Sequence, residues 1–421
     1  MRRVGIAVLL ISLALAAIRI NAEKRSKFDS KESIVNVTIN NIDRKKNINI
    51  YTAGNIQLVS KGRIKGNLFY GDTIIAKCSE KDLDKYYIGD FNYGRYLKSC
   101  GIKKSYVIKS YKKVDENRFY RAIGNIKEKI ITTNKYLYKD RSGILNAILV
   151  GDKSNIEKKE KNIFFDSGTS HVMAISGLHI SIIVVLLTSI FGKIRNMKVF
   201  LLMSVFLVIY GKIVGEGASV QRAIWLIILI YISYFTDERY DIANLLFLIA
   251  GIMIFENPYV IYNISFLLSF ASIFSITVLN KYFKKVFYGN VIVSTISATI
   301  ATWPIILYTF KEMSIMGILG NFIAIPAITT IIFLDLASVL LYILNFSISF
   351  YLAQFNIHII NMMLYILKKI GNYGVSNIIF KDIGIRTILI YYFILIISMI
   401  LLYKYEVMKN KYPITAESEV K

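Results

Sequence analysis

Apolar positions are distributed unevenly along the chain. Residues 1–20 form one apolar run, residues 21–170 read as soluble protein, and residues 171–405 are runs of Ile, Leu, Val and Phe broken by short polar links. A helix needs about 20 apolar residues to cross a hydrocarbon core. Spans near 171–191, 199–215, 219–236, 242–256, 260–279 and 289–309 meet that length or come close to it. Residues 311–383 are harder to divide. Simple alternation leaves "LKKIGNYG" (367–374) outside, which makes one segment there re-entrant or flat on the surface. The pattern predicts a mostly α, polytopic membrane protein with one small β domain inserted after the first transmembrane helix.

Within the insert the period is that of strands. "SIVNVTINNI", "NINIYTA", "NIQLVSKG", "DTIIAKCSE" and "SYVIKSYKKV" follow one another between residues 33 and 114, punctuated by Gly54, Gly62, Gly66 and Gly71. About five short strands with glycine turns describe a small barrel or sandwich. The OB-type barrel has that strand number and often binds single-stranded nucleic acid through cations and stacking aromatics. Tyrosines and lysines alternate closely over residues 84–113. From 117 the period becomes helical, with lysines between apolar positions, as in an amphipathic helix on a membrane face. "RSGILNAILVGDKS" predicts a second short helix ending at Gly151. The chain therefore divides into an anchor or signal-like segment (1–20), an OB-type domain (21–115), an amphipathic helical connector (116–165), a multi-helix transmembrane domain (166–405) and a tail (406–421).

Charge sets the orientation. The formal net charge is +24, and residues 21–140 carry 26 Lys+Arg against 13 Asp+Glu, over half of the excess. Such a surface serves solubility, attraction to anionic lipid, or binding of a polyanion. Arg2 and Arg3 precede the first apolar run, and the links 192–198 and 280–285 and the tail 403–411 are basic. Positive residues stay inside, which places residues 21–170 outside the cell and the C-terminus in the cytoplasm. An outside domain permits a disulfide. Cys78 and Cys100 are the two cysteines, and a bridge between them is expected, with two buried free thiols as the alternative.

Few polar groups interrupt the apolar part. In "HVMAISGLHISIIVVLL" (171–187), His171 and His179 flank Ser176 and Gly177. Eight residues apart on a helix, the histidines sit about 80° apart and could share an inner stripe, lining a path or locking packing. Gly177 permits close backbone approach. Arg222 lies just inside an apolar run, where a charge calls for a wet cavity or a partner. Glu216 is the candidate partner. Asp335 is a second charge in apolar surroundings, and Asn263, Ser265, Ser269 and Asn321 are neutral polar groups there. Pro304 and Pro326 should break or kink their helices. Nothing supplies further ligands to the histidines, so no metal and no cofactor is expected. No G-x-x-x-x-G-K-[ST] loop is present.

The stretch "FFDSGTSHVMAISGLHISIIVVLL" (164–187) resembles the signature of the ComEC family, the DNA-uptake channel proteins of naturally transformable bacteria. Further elements follow in the family's order: "GDFNYGRYLKSCGI" (89–102), "ILVGDKS" (148–154), "GEGASVQRAIW" (215–225), "ENPYVIYNISFLLSFAS" (256–272) and "TWPIILYTFKEMSIMGILGNFIAIPAIT" (302–329). Ser265 and Leu267 stand where Gly and Gln are more usual. Long family members continue into a metallo-β-lactamase-like domain, a proposed nuclease. No His-x-His-x-Asp-His motif occurs here, so the resemblance implies the channel-only form. It also implies an inner-membrane channel, not an enzyme, that translocates single-stranded DNA during transformation. It would work with an extracellular DNA receptor and a cytosolic helicase-type ATPase motor, as a monomer or a homodimer. Two other readings remain. One is transport of another anionic substrate. The other is an intramembrane serine protease built on Ser176, against which His179 should point along the helix rather than at the hydroxyl.

Overall fold

The computed structural model describes residues 4–23, 32–44, 48–61, 68–89, 91–192, 196–215, 217–236, 241–284, 289–373, 377–379 and 384–411. The first apolar run is helix α1 (Val4–Glu23). The first strand-like run bends at Ile39 and Asn40 into β1 (Glu32–Thr38) and β2 (Asn41–Arg44). Then come β3 (Ile48–Ala53), β4 (Ile56–Lys61), β5 (Asp72–Lys81), a short hairpin β6 (Tyr87–Ile88) and β7 (Phe91–Asn92), helix α2 (Tyr93–Ser99) and the long β8 (Lys104–Glu116).

The sheet order is β1-β5-β8-β4-β3-β2, with β4 and β8 parallel. Its two edges, β1 and β2, are halves of one bent segment, so the sheet closes on itself as a five-stranded barrel of OB type. Alternate side chains fill it: Ile39, Leu58, Ile74, Ala76 and Cys78 are fully buried. All five predicted strands are present. The segment 89–102 supplies the hairpin turn and α2.

Where the barrel meets the next helix, one buried carboxylate gathers cations. Asp72, 1% exposed, accepts from Arg121 Nη2 at 2.6 Å and pairs with Lys113 Nζ at 2.7 Å. Arg121 also donates from Nε and Nη2 to Glu116, each at 2.7 Å. Arg121 and then Lys113 hold the Glu116 carboxyl down at about 2.

Helix α3 (Arg118–Tyr138) follows, then α4 (Ser142–Val150), closed by left-handed Gly151 as predicted, and α5 (Lys158–Asp166). This connector is not merely laid on a surface. Every residue of α4 is buried, as a helix apolar all round must be. Leu137, Tyr138, Ile144, Leu145, Ile148 and Phe164 share one core with the membrane helices.

The membrane part continues with a 3₁₀ turn (Ser170–Met173), α6 (Gly177–Phe191), α7 (Met197–Val214), α8 (Ala218–Phe235) and α9 (Ile242–Glu256). A second 3₁₀ turn (Pro258–Tyr262) leads to α10 (Ile264–Phe283) and α11 (Asn290–Phe310). Then come β9 (Glu312–Ser314), α12 (Gly317–Leu344), α13 (Phe346–Gly371), β10 (Asn377–Ile379) and α14 (Ile385–Lys411). Among the described residues, five helices are long and apolar enough to cross a membrane: α1, α7, α11, α12 and α13. The chain is a multi-pass membrane protein. Residues 317–371, uncertain from sequence, are two long helices joined through Asn345 and packed on each other.

Neither proline ends its helix. Pro304 lies inside α11 and Pro326 inside α12, so of the expected break or kink the break does not occur. For Pro304 the reason is visible. Proline's missing N–H frees the carbonyl four residues earlier, here that of Ile300. Tyr391 of α14 donates its hydroxyl to that carbonyl at 2.8 Å, and Tyr392 donates to the next one, of Ala301, at 2.7 Å.

Two outcomes follow from these contacts. Arg121→Ala should destabilise the barrel by about 2 kcal/mol, limited by the remaining Lys113. Thiol labelling of the buried Cys78 should then quicken roughly thirtyfold. Tyr391→Phe should cost about 1 kcal/mol in detergent unfolding. In a Pro304→Ala background, where the backbone N–H returns, that cost should shrink.

Candidate functional site

The barrel is held on the membrane helices through α2. Asn257 caps the second 3₁₀ turn with Oδ1 and donates from Nδ2 to the carbonyl of Lys98 at 2.9 Å. Asn263 caps α10 in the same way, its Nδ2 lying 3.4 Å from Ser99 Oγ and 3.6 Å from Cys100 Sγ. Arg95 and Lys98 lie over the rings of Tyr262 and Tyr259, at 4.9 and 5.0 Å.

Below this joint lies a cavity of about 2150 Å³. It runs from barrel residues such as Asp82 and Lys103 to α6, α8, α10, α11 and α12. The first residues of α6, α8, α10 and α12 (Gly177, Ala218, Ile264 and Gly317) all line it.

Eight of the candidate residues converge here: His171, Ser176, Gly177, His179, Arg222, Asn263, Ser269 and Asn321. Asp335 does not. It is fully buried, away from the cavity, where Oδ2 accepts from Asn134 at 3.4 Å among Asn146, Tyr138, Ser338 and Asn356. The connector, remote in sequence, supplies that polar company. The cysteines are also apart. Both are free thiols, Cys78 inside the barrel and Cys100 facing the cavity at the end of α2, so the expected bridge is not formed. Cys78 points inward from β5 as part of the barrel's alternating core, and burial pushes its thiol up to about 11.

The histidines do not share a helix. His171 belongs to the first 3₁₀ turn, and α6 begins only at Gly177. Ser176 stands outside as the N-cap, in extended conformation, and forms a capping box with His179. The serine hydroxyl is therefore 3.0 Å from His179 Nδ1, which also accepts the Ser176 N–H at 3.3 Å. This corrects the expectation that the ring points away from the hydroxyl. The contact serves the helix start. Among the described residues no carboxylate bonds to His179 Nε2, so none orients the ring as a serine nucleophile's base requires. His358, the third histidine, is on α13 and does not line the cavity.

Arg222 is 3% exposed, and its Nε has no hydrogen-bond partner. Its guanidinium lies 6.0 Å from the Phe270 ring and presses on Gly177, where a Cβ would come within 2.9 Å of Nη2. Glu216, the expected partner, lies outside the described residues. Asn321 Oδ1 is likewise buried without a partner. Ser269 bonds to Ser219, joining α10 to α8.

The sequence singled out Ser265 and Ser269, but Ser272 and the α11 threonines were missed. Ser265, Ser269 and Ser272 on α10, and Thr295, Thr299 and Thr302 on α11, all line the cavity. Each set follows the i, i+4, i+7 spacing of one helix face, and that spacing was the available signal. At the mouth, charges are paired rather than uniformly basic: Lys98 with Asp84 at 2.8 Å and Lys104 with Glu80 at 3.9 Å. Deep inside, among the described residues, Arg222 is the cation among these hydroxyls.

No solved structure matches the chain. It is 30% identical to ComE operon protein 3 of Bacillus subtilis (strain 168) over 247 residues, 57% of this chain and 32% of that protein. It is 23% identical to Recombination protein 2 of Haemophilus influenzae (strain ATCC 51907 / DSM 11121 / KW20 / Rd) over 262 residues, 56% of this chain and 33% of that one. An uncharacterized protein of Aquifex aeolicus (strain VF5) is 27% identical over 189 residues, 43% and 44% of the two chains. The chain thus covers about a third of the length of the two named relatives. The profile of the family described as Competence protein matches residues 148–405, well over half of the sequence and all of the cavity-lining helices from α6 to α12, and the chain belongs to that family.

Proposed function

We propose that the chain is a membrane channel that passes single-stranded DNA into the cytoplasm during transformation. The observation that carries this reading is the cavity that leads from an OB-type barrel into hydroxyl-lined membrane helices. A polyanion cannot cross hydrocarbon, because each unshielded charge costs several kcal/mol. It needs a polar, wet path, and the two hydroxyl stripes with Arg222, Asn321 and the histidines line one. Membership of the competence family supports DNA as the cargo. With the barrel outside, its excess cations attract DNA by counterion release, and the exposed rings of Tyr87, Phe91 and Tyr96 offer stacking surfaces. An extracellular DNA receptor would deliver the strand, and a separate cytosolic helicase-type motor would pull it. Catalysis has no part in this scheme.

Labelled double-stranded DNA supplied to cells deleted for this chain should bind outside but yield no nuclease-protected label in the cytoplasm. Undiminished entry would end the channel reading. His171→Ala removes a cavity-facing ring that takes no part in the cap, and should lower entry with the protein still in the membrane. His179→Ala should also lower entry, while loosening the start of α6 by about 1 kcal/mol. The full chain should bind single-stranded DNA with affinity that falls steeply with salt.

A further inference from the structure

The start of α6 combines three features in one wall of the cavity. The 15-residue helix begins at Gly177 after the extended Ser176. First-turn amides have no intrahelical acceptor. The amide of Ile180 reaches the Ser176 carbonyl, and the capping box uses that of His179, but Gly177 N and Leu178 N have no protein acceptor among the described residues. Both residues line the cavity. The second feature is Arg222, 97% buried by its 3% exposure, with Nε unpartnered and its guanidinium held against Gly177. The third is Gly177 itself. Any side chain there would intrude on Nη2 at 2.9 Å, so glycine keeps the cation and the helix start in contact.

We propose that Gly177 N, Leu178 N and Arg222 form a binding site for one phosphate-type anion, the monoanionic phosphodiester of a nucleic-acid backbone or the headgroup phosphate of a lipid. A helix N-terminus attracts anions through its free amides and its dipole. The guanidinium fork matches two phosphate oxygens. Among the described residues no carboxylate pairs with Arg222, burial of a cation in that state is costly, and an anion at this point relieves that cost. On the DNA source the site rests on the channel reading, where it would hold one backbone phosphate at a time as the strand passes Ser176 and His179.

The test uses the full chain in phosphatidylcholine nanodiscs and a fluorescent oligothymidylate, read by anisotropy. The barrel contributes equally to every variant, so differences report the site. Arg222→Gln should weaken binding about tenfold, the size of one charge-assisted contact, while a methylphosphonate oligothymidylate, neutral along its backbone, should show no difference between variant and parent. Arg222→Lys should recover part of the loss. Gly177→Ala, which keeps the charge but displaces the guanidinium, should lose less than Arg222→Gln. Nanodiscs containing phosphatidylglycerol separate the sources. If lipid occupies the site, they weaken oligomer binding by the parent and leave Arg222→Gln unaffected. Equal affinity of parent and Arg222→Gln for the phosphodiester probe at low salt, with no lipid effect, overturns the site. The cellular entry assay is independent. A block on deletion with no Arg222 effect leaves the channel and removes the site, and a clear Arg222 effect with normal entry does the reverse.

Discussion

A polar atom at membrane depth must meet a protein partner or water, and most of this structure follows from that constraint. Three solutions occur side by side. The Ile300 carbonyl, freed by Pro304, is taken by a tyrosine from α14. Asp335 is enclosed with amides and hydroxyls drawn from α3, α4, α12 and α13. Around the cavity, Arg222 Nε and Asn321 Oδ1 have no protein partner among the described residues. The first is closed and structural, and the second is satisfied only in part. The third suits a wall that solvent or a polar ligand can reach, whereas in the Asp335 cluster Asp335 Oδ1, Asn134 Oδ1 and Asn356 Oδ1 are buried without a partner although they lie away from the cavity.

The barrel was legible because strand alternation and glycine turns are local signals. All five predicted strands appear, and the helix ending at Gly151 ends there. The start of α6 was not legible. A capping box is usually recognised by Glu or Gln at its fourth position, and here a histidine fills that place, so Ser176 and His179 read as members of one helix. That α11 continues through Pro304 was not legible for a different reason. Tyr391 lies 91 residues from the carbonyl it satisfies, and no local pattern announces such a partner. Asp335 likewise looked like a site because its companions, Asn134 and Tyr138, lie about 200 residues away in the connector. The hydroxyl stripes on α10 and α11 were readable from spacing alone. Beyond Ser265 and Ser269 they went unread because single serines and threonines in apolar helices so often only bond back to their own backbone, as Thr302 does to Ala298.

The charge distribution separates attraction from passage. Residues 21–140, the barrel together with α3, carry over half of the positive excess, yet at the cavity mouth Lys98 and Lys104 are engaged by Asp84 and Glu80. Farther in, neutral hydroxyls predominate. A path must bind its cargo well enough to admit it and weakly enough to release it. A row of buried cations would trap a polyanion, whereas hydroxyls solvate phosphate oxygens without fixing them. Arg222, the one buried arginine among the described residues, is then a step along the path rather than a sink.

The joint between barrel and helices adds a mechanical consequence. Asn257 and Asn263 each do two things: Oδ1 caps the helical turn that follows, and Nδ2 holds the end of α2. The barrel therefore rests on the atoms that start α10, and α10 carries one of the two hydroxyl stripes. Moving the barrel away would remove acceptors from both amides while leaving the caps in place, so the start of α10 does not have to unfold for the joint to loosen. Hydrogen bonds of 2.9 to 3.6 Å from two neutral side chains, with two partly exposed cation–ring contacts, make a seam far weaker than the close-packed core that α4 shares with α12 and α13. If the cavity widens to admit a strand, this seam is where the least interaction is lost.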